Sequence, residues 1–161
     1  MKVVLINPQI PPNTGNIART CVANEIELIL IGKIGFDLSD KALKRAGLDY
    51  WKYVKLKVYN SFEDFLSEVS DLKKLLFFST HGKKLFWDAP YTEQSYLIFG
   101  SETSGFPKSF YKEYMRQMYK IPMKSNLVRS LNLATSCGIV VYEALRHITY
   151  DKIINNLIDS K

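Results

Sequence analysis

The chain has 161 residues, of which 47% are hydrophobic and 24% are charged, and its formal net charge is +6. This length fits one globular domain with a substantial core, and the ordinary composition excludes a disordered or collagen-like chain. The positive charge favours an anionic partner such as RNA, although many basic proteins bind no nucleic acid.

The cysteines and the N-terminus indicate the cellular compartment. Cys21 and Cys137 follow no zinc or redox spacing and lie among apolar residues, so we expect buried, reduced thiols. The apolar run Val3–Ile6 is too short for a signal peptide, and no apolar stretch approaches the length of a membrane span. We therefore expect a cytoplasmic protein with one domain over residues 1–155 and a frayed tail over 156–161.

Short apolar runs recur along the chain and predict the strands. Several, such as Val3–Ile6 and Leu28–Ile31, are continuous rather than alternating, which is typical of strands covered on both faces. Helical patterns alternate with these runs, which indicates parallel crossover connections. The sequence therefore predicts an α/β fold with a mostly parallel sheet of about six strands and helices on both faces. The predicted strands are Lys2–Asn7, Glu27–Gly32, Val54–Tyr59, Lys74–Thr80, Ser95–Gly100 and Met118–Met123.

The helical patterns have recognisable ends. Ser61 is a cap-type residue followed by acids, and the pattern after Asn132 has a long apolar face. The predicted helices are Asn13–Asn24, Asp40–Gly47, one that begins at Ser61, Pro107–Met115 and Asn132–Ile148.

Ligands of parallel sheets bind beyond the carboxyl ends of the strands, so the segments that follow the strands are candidate sites. After the first strand, a Pro-Pro pair predicts a stiff turn, and Arg19 falls in the first turns of a helix, where N–H groups favour anions. An arginine there can grip a phosphate, but a surface arginine is the simpler interpretation.

Two later loops carry weaker signals. The loop Phe99–Pro107 has two glycines, so its N–H groups can cradle a ligand and Glu102 can accept hydrogen bonds, or it is a tight left-handed turn. In the segment Ile121–Leu133, Ser130 and Asn132 can be plain helix caps. Tyr142 lies near the same helical face as Asn132, and a buried helix contact is its simpler interpretation.

Other chemistry finds little support in the sequence. Neither His81 nor His147 suggests catalysis, no Ser-His-Asp set can be assigned, and no metal-ligand spacing is present. We therefore expect no metal.

Taken in order, these segments resemble the SPOUT superfamily of RNA 2′-O-methyltransferases, in particular the tRNA (cytidine/uridine-34-2′-O)-methyltransferases of the TrmL (YibK) type. One departure is that five residues, 124–128, separate Ile121–Met123 from Arg129–Leu133, where the family has four. The matching segments span almost the whole chain: Ile10–Arg19, Gly47–Tyr50, Phe99–Pro107, Ile121–Met123, Arg129–Leu133 and Val141–Ala144.

The resemblance implies a SPOUT fold whose C-terminal part forms a deep trefoil knot, an exception to the rule that chains are unknotted. It implies that S-adenosyl-L-methionine is the methyl donor, bound in the knot, and that S-adenosyl-L-homocysteine is the product. It also implies a homodimer through the knot region and the C-terminal helix, with active sites that draw on both subunits. The implied donor pocket consists of Phe78, Gly100, Glu102, Gly105, Ile121, Met123, Ser130 and Leu131.

The resemblance further implies that Arg19, Asn132 and Tyr142 serve methyl transfer to a ribose 2′-hydroxyl. Because arginine effectively never deprotonates in proteins, we expect Arg19 to hold the adjacent phosphate and the developing alkoxide rather than act as a base. Asn132 and Tyr142 would orient the hydroxyl or the donor. The expected RNA contacts are Arg19, Lys41, Lys44, Arg45 and Arg129, with Lys83 and Lys84 as further candidates.

The predicted substrate is the wobble nucleotide of a leucine tRNA, cytidine or uridine at position 34. Three alternatives remain open on the sequence: another RNA such as ribosomal RNA, a knotted RNA-binding protein without catalysis, and an unrelated nucleotide-binding α/β protein. No membrane partner is expected.

Overall fold

The computed structural model describes residues 1–37 and 50–159, with side chains up to residue 149. The predicted helix Asp40–Gly47 and the predicted RNA contacts Lys41, Lys44 and Arg45 lie outside the described residues.

The described strands form one parallel sheet. Their bounds are β1 Lys2–Ile6, β2 Glu27–Ile31, β3 Leu56–Tyr59, β4 Leu75–Phe78, β5 Lys84–Leu85, β6 Tyr96–Phe99 and β7 Met118–Lys120. The order across the sheet is β3-β2-β1-β6-β4-β7-β5, and every neighbouring pair is parallel. The predicted α/β class is confirmed. The sequence pattern does not predict β5, because a two-residue strand is too short to show a periodicity.

The described helices are α1 Pro11–Ala23, α2 Phe62–Ser67, α3 Phe110–Glu113 and α4 Leu133–Asp159. Ser61 caps α2 as predicted, since its hydroxyl accepts from the Asp64 N–H at 3.0 Å and the Asp64 carboxylate accepts from the Ser61 N–H. Helix α4 continues well past the predicted end at Ile148, whereas α3 is much shorter than predicted. Single 3₁₀ turns cover Trp51–Tyr53, Leu72–Lys74, Phe86–Asp88 and Met115–Gln117.

The start of α1 differs from the prediction. Pro11 and Pro12 do not form a turn before the helix but are its first two residues, where a missing N–H costs nothing. The next two N–H groups, of Asn13 and Thr14, both donate to the Ile10 carbonyl. The predicted anion-binding N–H groups at this helix end are therefore absent or already paired. Arg19, predicted in the first turns of the helix, lies in its third turn.

The sheet has a hydrophobic core on each face, which explains its continuous apolar strands. Val3 and Leu5 of β1 face α1 and α4, whereas Val4 and Ile6 face α2 and α3. Helices therefore cover both faces, as predicted. No helix among the described residues is both long and apolar enough to cross a bilayer.

Candidate active site

A cavity of about 750 Å³ opens at the carboxyl ends of β1, β6, β4 and β7, which are neighbours in the sheet. This is where ligands bind in open α/β sheets, and the volume suits a nucleoside-sized ligand. Each of the four strands contributes the segment that follows it. The lining residues are Ile10, Asn13, Phe78, Ser79, Thr80, His81, Phe99, Gly100, Ser101, Glu102, Thr103, Ser104, Gly105, Phe106, Tyr111, Ile121, Met123, Arg129, Ser130, Leu131, Asn132, Leu133 and Ser136.

The loop after β6 is a tight hairpin that forms one wall. Ser101 and Gly105 exchange two backbone hydrogen bonds, at 3.1 and 2.9 Å. Gly105 has φ +65°, so the left-handed turn left open by the sequence is present. A Cβ on Gly100 would lie 2.5 Å from the Gly105 carbonyl carbon, so only glycine lets the two limbs of the hairpin approach.

Glu102, at the tip of this hairpin, ties the loop to the segment that leads into α1. Its carboxylate accepts from the backbone N–H groups of Gln9 at 2.9 Å and Ile10 at 3.1 Å. It also accepts from the side-chain amide of Asn13 at 3.2 Å. Glu102 therefore accepts hydrogen bonds as predicted, but its partners belong to the chain itself.

The same set of hydrogen bonds extends to the start of α4. The side-chain oxygen of the buried Asn13 accepts from the Asn132 amide at 2.9 Å. The Asn132 side-chain oxygen in turn accepts from the N–H groups of Ala134 at 2.8 Å and Thr135 at 3.2 Å. Asn132 is thus the cap of α4, and Glu102, Asn13 and Asn132 join the first turns of α1 and α4.

All eight residues of the predicted donor pocket line the cavity. Phe78 ends β4 and Gly100 directly follows the neighbouring strand β6. The Phe78 ring stacks on Phe99, with 5.2 Å between the ring centroids. Ile121 and Met123 form the wall after β7, and Ser130 and Leu131 complete it before α4. Arg129 and Asn132 also reach this cavity.

His81 lines the cavity although sequence reasoning set it aside. Its ring meets Tyr111 of α3 edge-on at 5.3 Å between centroids. The one sequence signal that could have placed His81 in the site was its position after a central strand, since a lone histidine carries no motif.

Arg19 and Tyr142 do not reach the cavity of their own subunit. Arg19 is exposed on α1, six residues past Asn13, which is about 9 Å further along the helix axis. Its guanidinium lies 4.8 Å from the ring centroid of Tyr50, whose hydroxyl donates to the Gly15 carbonyl at 2.7 Å. Tyr142 has 59% of its surface exposed, so the alternative of a buried helix contact is wrong within this chain.

The cysteines belong to the core rather than the site. Cys21 and Cys137 are both buried and free, as predicted, on the facing helices α1 and α4. Burial raises the pKa of the Cys21 thiol to about 12 and raises the pKa of Cys137 well above its usual value. Burial also raises the pKa of Tyr119 on β7, with a smaller contribution from Asp88. The described residues contain no group of three or more histidine, cysteine or acidic side chains able to hold a metal ion.

Comparison with known proteins identifies the family of this chain. Residues 1–142 match the model of the SpoU rRNA methylase family. The chain belongs to this family. A provisionally named tRNA (cytidine(34)-2′-O)-methyltransferase of Synechocystis is 50% identical over 149 residues, covering 92% of this chain and 97% of that protein. The tRNA (cytidine(34)-2′-O)-methyltransferase of Burkholderia cenocepacia is 37% identical over 151 residues, covering 92% and 96%.

Solved structures agree with this assignment. A provisionally assigned RNA methyltransferase from Bacillus anthracis has a TM-score of 0.86 and 43% identity, covering 92% of this chain and 94% of that one. A structure described as concerning the 2-OH methylation of C/U34 on tRNA has a TM-score of 0.80 and 42% identity, covering 90% and 93%. An rRNA methyltransferase from Sinorhizobium meliloti with S-adenosylmethionine bound has a TM-score of 0.77 and 26% identity, covering 91% of this chain and 56% of that one.

The SpoU-family protein is therefore a methyltransferase, and its methyl donor is S-adenosylmethionine. The cavity is compatible with this donor. Phe78, Ile121 and Leu131 offer apolar contacts, and the hairpin and the residues before α4 offer hydroxyls and backbone groups. The Glu102 carboxylate gives the wall a negative charge, which favours a cationic sulfonium ligand.

Proposed function

We propose that this protein transfers a methyl group from S-adenosylmethionine to the ribose 2′-hydroxyl of the wobble nucleotide of tRNA, cytidine or uridine 34, in a leucine tRNA. The observation that carries the proposal is that relatives named for this reaction match more than nine-tenths of the chain. The cavity at the carboxyl ends of the strands supplies the place for the reaction.

The proposed donor site consists of the eight lining residues named above. Phe78, Ile121 and Leu131 form its apolar walls, Ser130 and the backbone of Gly100 and Met123 supply hydrogen-bonding groups, and Gly105 shapes the hairpin. Glu102 acts mainly by holding the Gly100–Gly105 hairpin against the start of α1, because three N–H donors already occupy its carboxylate. The bound donor supplies the electrophilic methyl group, and the protein supplies orientation.

The proposed role of Arg19 is to hold the RNA phosphate next to the reacting ribose and to stabilise the developing alkoxide. The Tyr50 ring fixes the guanidinium from one side, which lowers the entropy that the arginine loses when a phosphate binds. Tyr142 and Asn132 orient the hydroxyl or the donor, and Arg129 contacts the RNA at the cavity.

We propose that the protein acts as a homodimer in which Arg19 and Tyr142 of one subunit serve the cavity of the other. Both residues are exposed and neither lines its own cavity. An exposed stripe also runs along α4, and it includes Ile139 and Tyr142. A Cβ on the neighbouring Gly138 would meet nothing within 4 Å in its own chain, although glycine costs about 1 kcal/mol relative to alanine inside a helix. Close approach of a second α4 would explain this glycine.

The trefoil knot also remains a proposal. Its support is that β7 lies between β4 and β5, which are consecutive in the chain, so the connection 79–83 passes the carboxyl end of β7. The Ser79 N–H donates to the Tyr119 carbonyl at 2.9 Å, and a Cβ on Gly82 would lie 2.5 Å from the Tyr119 carbonyl carbon. An experimental electron-density trace of residues 79–133 tests this threading.

The test of the proposed function is methylation of tRNA by the purified protein, with the modified nucleotide mapped. We expect a 2′-O-methyl group at position 34 of leucine tRNA and none in ribosomal RNA. Arg19→Ala should abolish methylation and leave calorimetric binding of the donor largely intact, and Arg19→Lys, which keeps the charge but loses the planar fork, should restore little activity.

Three outcomes would contradict the proposal in different ways. Methylation of ribosomal RNA alone would move the substrate to another RNA. Donor binding without methylation of any RNA would favour a binding protein without catalysis. Near-normal turnover of Arg19→Ala would leave the reaction standing and overturn the proposed role of Arg19.

A further inference from the structure

The turn that holds Tyr50 against Arg19 carries a second aromatic ring that faces outward. Tyr53 has 64% of its surface exposed, more than Tyr142 at 59% or Trp87 at 45%. Tyr50, Trp51 and Val54 pack against the core and anchor the turn. Burial therefore does not account for Tyr53.

Tyr53 lies on the same side of the turn as Tyr50. The Tyr53 N–H donates to the Tyr50 carbonyl at 2.9 Å, and residues 51–53 form a 3₁₀ turn. With three residues per turn, side chains three apart are eclipsed. Tyr53 therefore follows one turn after Tyr50, and Tyr50 in turn contacts Arg19.

The charge around this ring is positive. The Lys52 ammonium lies over one face of Tyr53, 4.9 Å from the ring centroid, an arrangement that holds the ring in place and puts a cation at that face. The described segment 50–59 carries Lys52, Lys55 and Lys57 and no acidic residue, and of these Lys57 pairs with Glu68 at the C-terminal end of α2. An aromatic face flanked by cations is the arrangement that binds unpaired bases of single-stranded nucleic acid, because the base stacks and the cations meet its phosphates.

We propose that Tyr53 is a stacking platform for an unpaired base of the RNA substrate, next to the nucleotide whose phosphate Arg19 holds. Lys52 pairs with the phosphate of the stacked base. This inference rests on the proposed action on RNA and deepens it, since it assigns binding of the single-stranded segment around the target to a surface outside the cavity. Tyr53 positions the substrate and touches no reacting atom.

The test measures binding and turnover separately on the full-length protein. Fluorescence anisotropy with a labelled leucine tRNA anticodon stem-loop gives the RNA affinity, and initial rates give KM and kcat. We expect Tyr53→Ala to weaken RNA binding and raise KM about 5- to 150-fold, the range that corresponds to loss of one base-stacking aromatic, with kcat and calorimetric donor affinity little changed.

Two further variants separate stacking from plain apolar contact. Tyr53→Phe keeps the ring and should bind RNA as the unmodified protein does, whereas Tyr53→Leu keeps apolar area without a π face and should behave like Tyr53→Ala. Leu72→Ala is the control, since Leu72 is comparably exposed, at 52%, but lies before β4, which three strands separate from β3, the strand that follows Tyr53.

Several results would overturn the platform. The first is an unchanged RNA affinity in Tyr53→Ala, and the second is an equal affinity of the Tyr53→Leu and Tyr53→Phe variants. The third is a loss of RNA affinity that sedimentation traces to a broken dimer, because Tyr53 would then be a subunit contact. Failure of the unmodified protein to bind or methylate the RNA would refute the proposed function itself, independently of any Tyr53 variant.

Discussion

Glu102 illustrates how a single side chain can tie together the walls of a cavity. It lies in the cavity wall, yet its carboxylate accepts three hydrogen bonds from Gln9, Ile10 and Asn13. Hydrogen bonds to a charged group contribute more than neutral ones, and leaving their donors unpaired is costly. The hairpin after β6 is therefore fixed relative to α1 by charge as well as by packing.

We expect Glu102→Gln to lower the free energy of unfolding by about 1–3 kcal/mol, because an amide cannot accept all three bonds and turns a donor toward donors. Donor affinity should fall as well, since the hairpin loses its anchor. Urea unfolding followed by tryptophan fluorescence and calorimetry with S-adenosylmethionine measure the two effects. Glu113→Gln, at an exposed acid on α3, is the matched control and should change neither. Unchanged stability of Glu102→Gln would show that these bonds are not needed.

At the scale of elements, the start of α4 combines structure and proposed chemistry in one residue. Asn132 caps the helix through its side-chain oxygen and reaches Asn13 through its amide, so the longest helix and α1 are positioned together. The cap accounts for Asn132 as a structural residue. Because Asn132 also lines the cavity, we expect it to contribute to methyl transfer as well.

Asn132→Asp keeps the capping oxygen and loses the amide that donates to Asn13. We expect its free energy of unfolding to fall by about 1–3 kcal/mol, because the buried Asn13 oxygen loses its donor, and kcat to fall at least about tenfold, the loss of one hydrogen-bond contribution in the transition state. Urea unfolding and initial rates measure both. Ser61→Ala removes the cap of α2 on the opposite face of the sheet and should cost about 1 kcal/mol of stability with full activity. If Asn132→Asp is as active as the unmodified protein, Asn132 is a cap and nothing more.

At the scale of the whole molecule, one chain does not bring all residues of the proposed site together. The cavity gathers the proposed donor residues, whereas Arg19 and Tyr142 point away from it on exposed faces of α1 and α4. A two-fold dimer in which α4 packs against its counterpart would bring the missing residues from the partner.

A heterodimer provides a sharp test of this arrangement. We propose to co-express Arg19→Ala and Leu131→Arg chains with different tags and to purify the mixed dimer; Leu131→Arg fills the cavity and should abolish donor binding. If Arg19 serves the partner's cavity, the mixed dimer has one intact site of two and should regain about half of the normal activity, although each homodimer is inactive. Labelled-donor assays measure this. No recovery in a dimer of normal stability would mean that Arg19 acts within its own subunit.

A second prediction at this scale concerns the exposed stripe of α4. Ile139→Asp should convert the protein to monomers in sedimentation and abolish methylation, because it places a charge in a face that we expect to be buried. Leu72→Asp makes the same change at another exposed aliphatic residue and should leave a dimer. A dimeric, active Ile139→Asp variant would contradict the proposed interface.

Much of the fold was predictable because its signals are local. Continuous apolar runs identify the buried strands, and the Ser61–Asp64 spacing identifies a capped helix start. Missing from the prediction were β5 and the length of α4, because a two-residue strand has no periodicity and nothing local ends the long helix at Ile148. The Pro11–Pro12 pair misled the prediction, since the same dipeptide suits a turn or a first helical turn.

The sequence by itself determined the α/β class, the buried thiols and, through the resemblance of three loops, the family and its donor. Tertiary structure decided what each side chain in those loops does. The partners of Glu102 and the Asn13 partner of Asn132 lie 89 or more residues away along the chain, so no local pattern could assign these hydrogen bonds, whereas the cap by Asn132 is local and was predictable. The separation of Arg19 from the cavity likewise depends on which way α1 faces once it packs on the sheet, and that orientation is a property of the packed core.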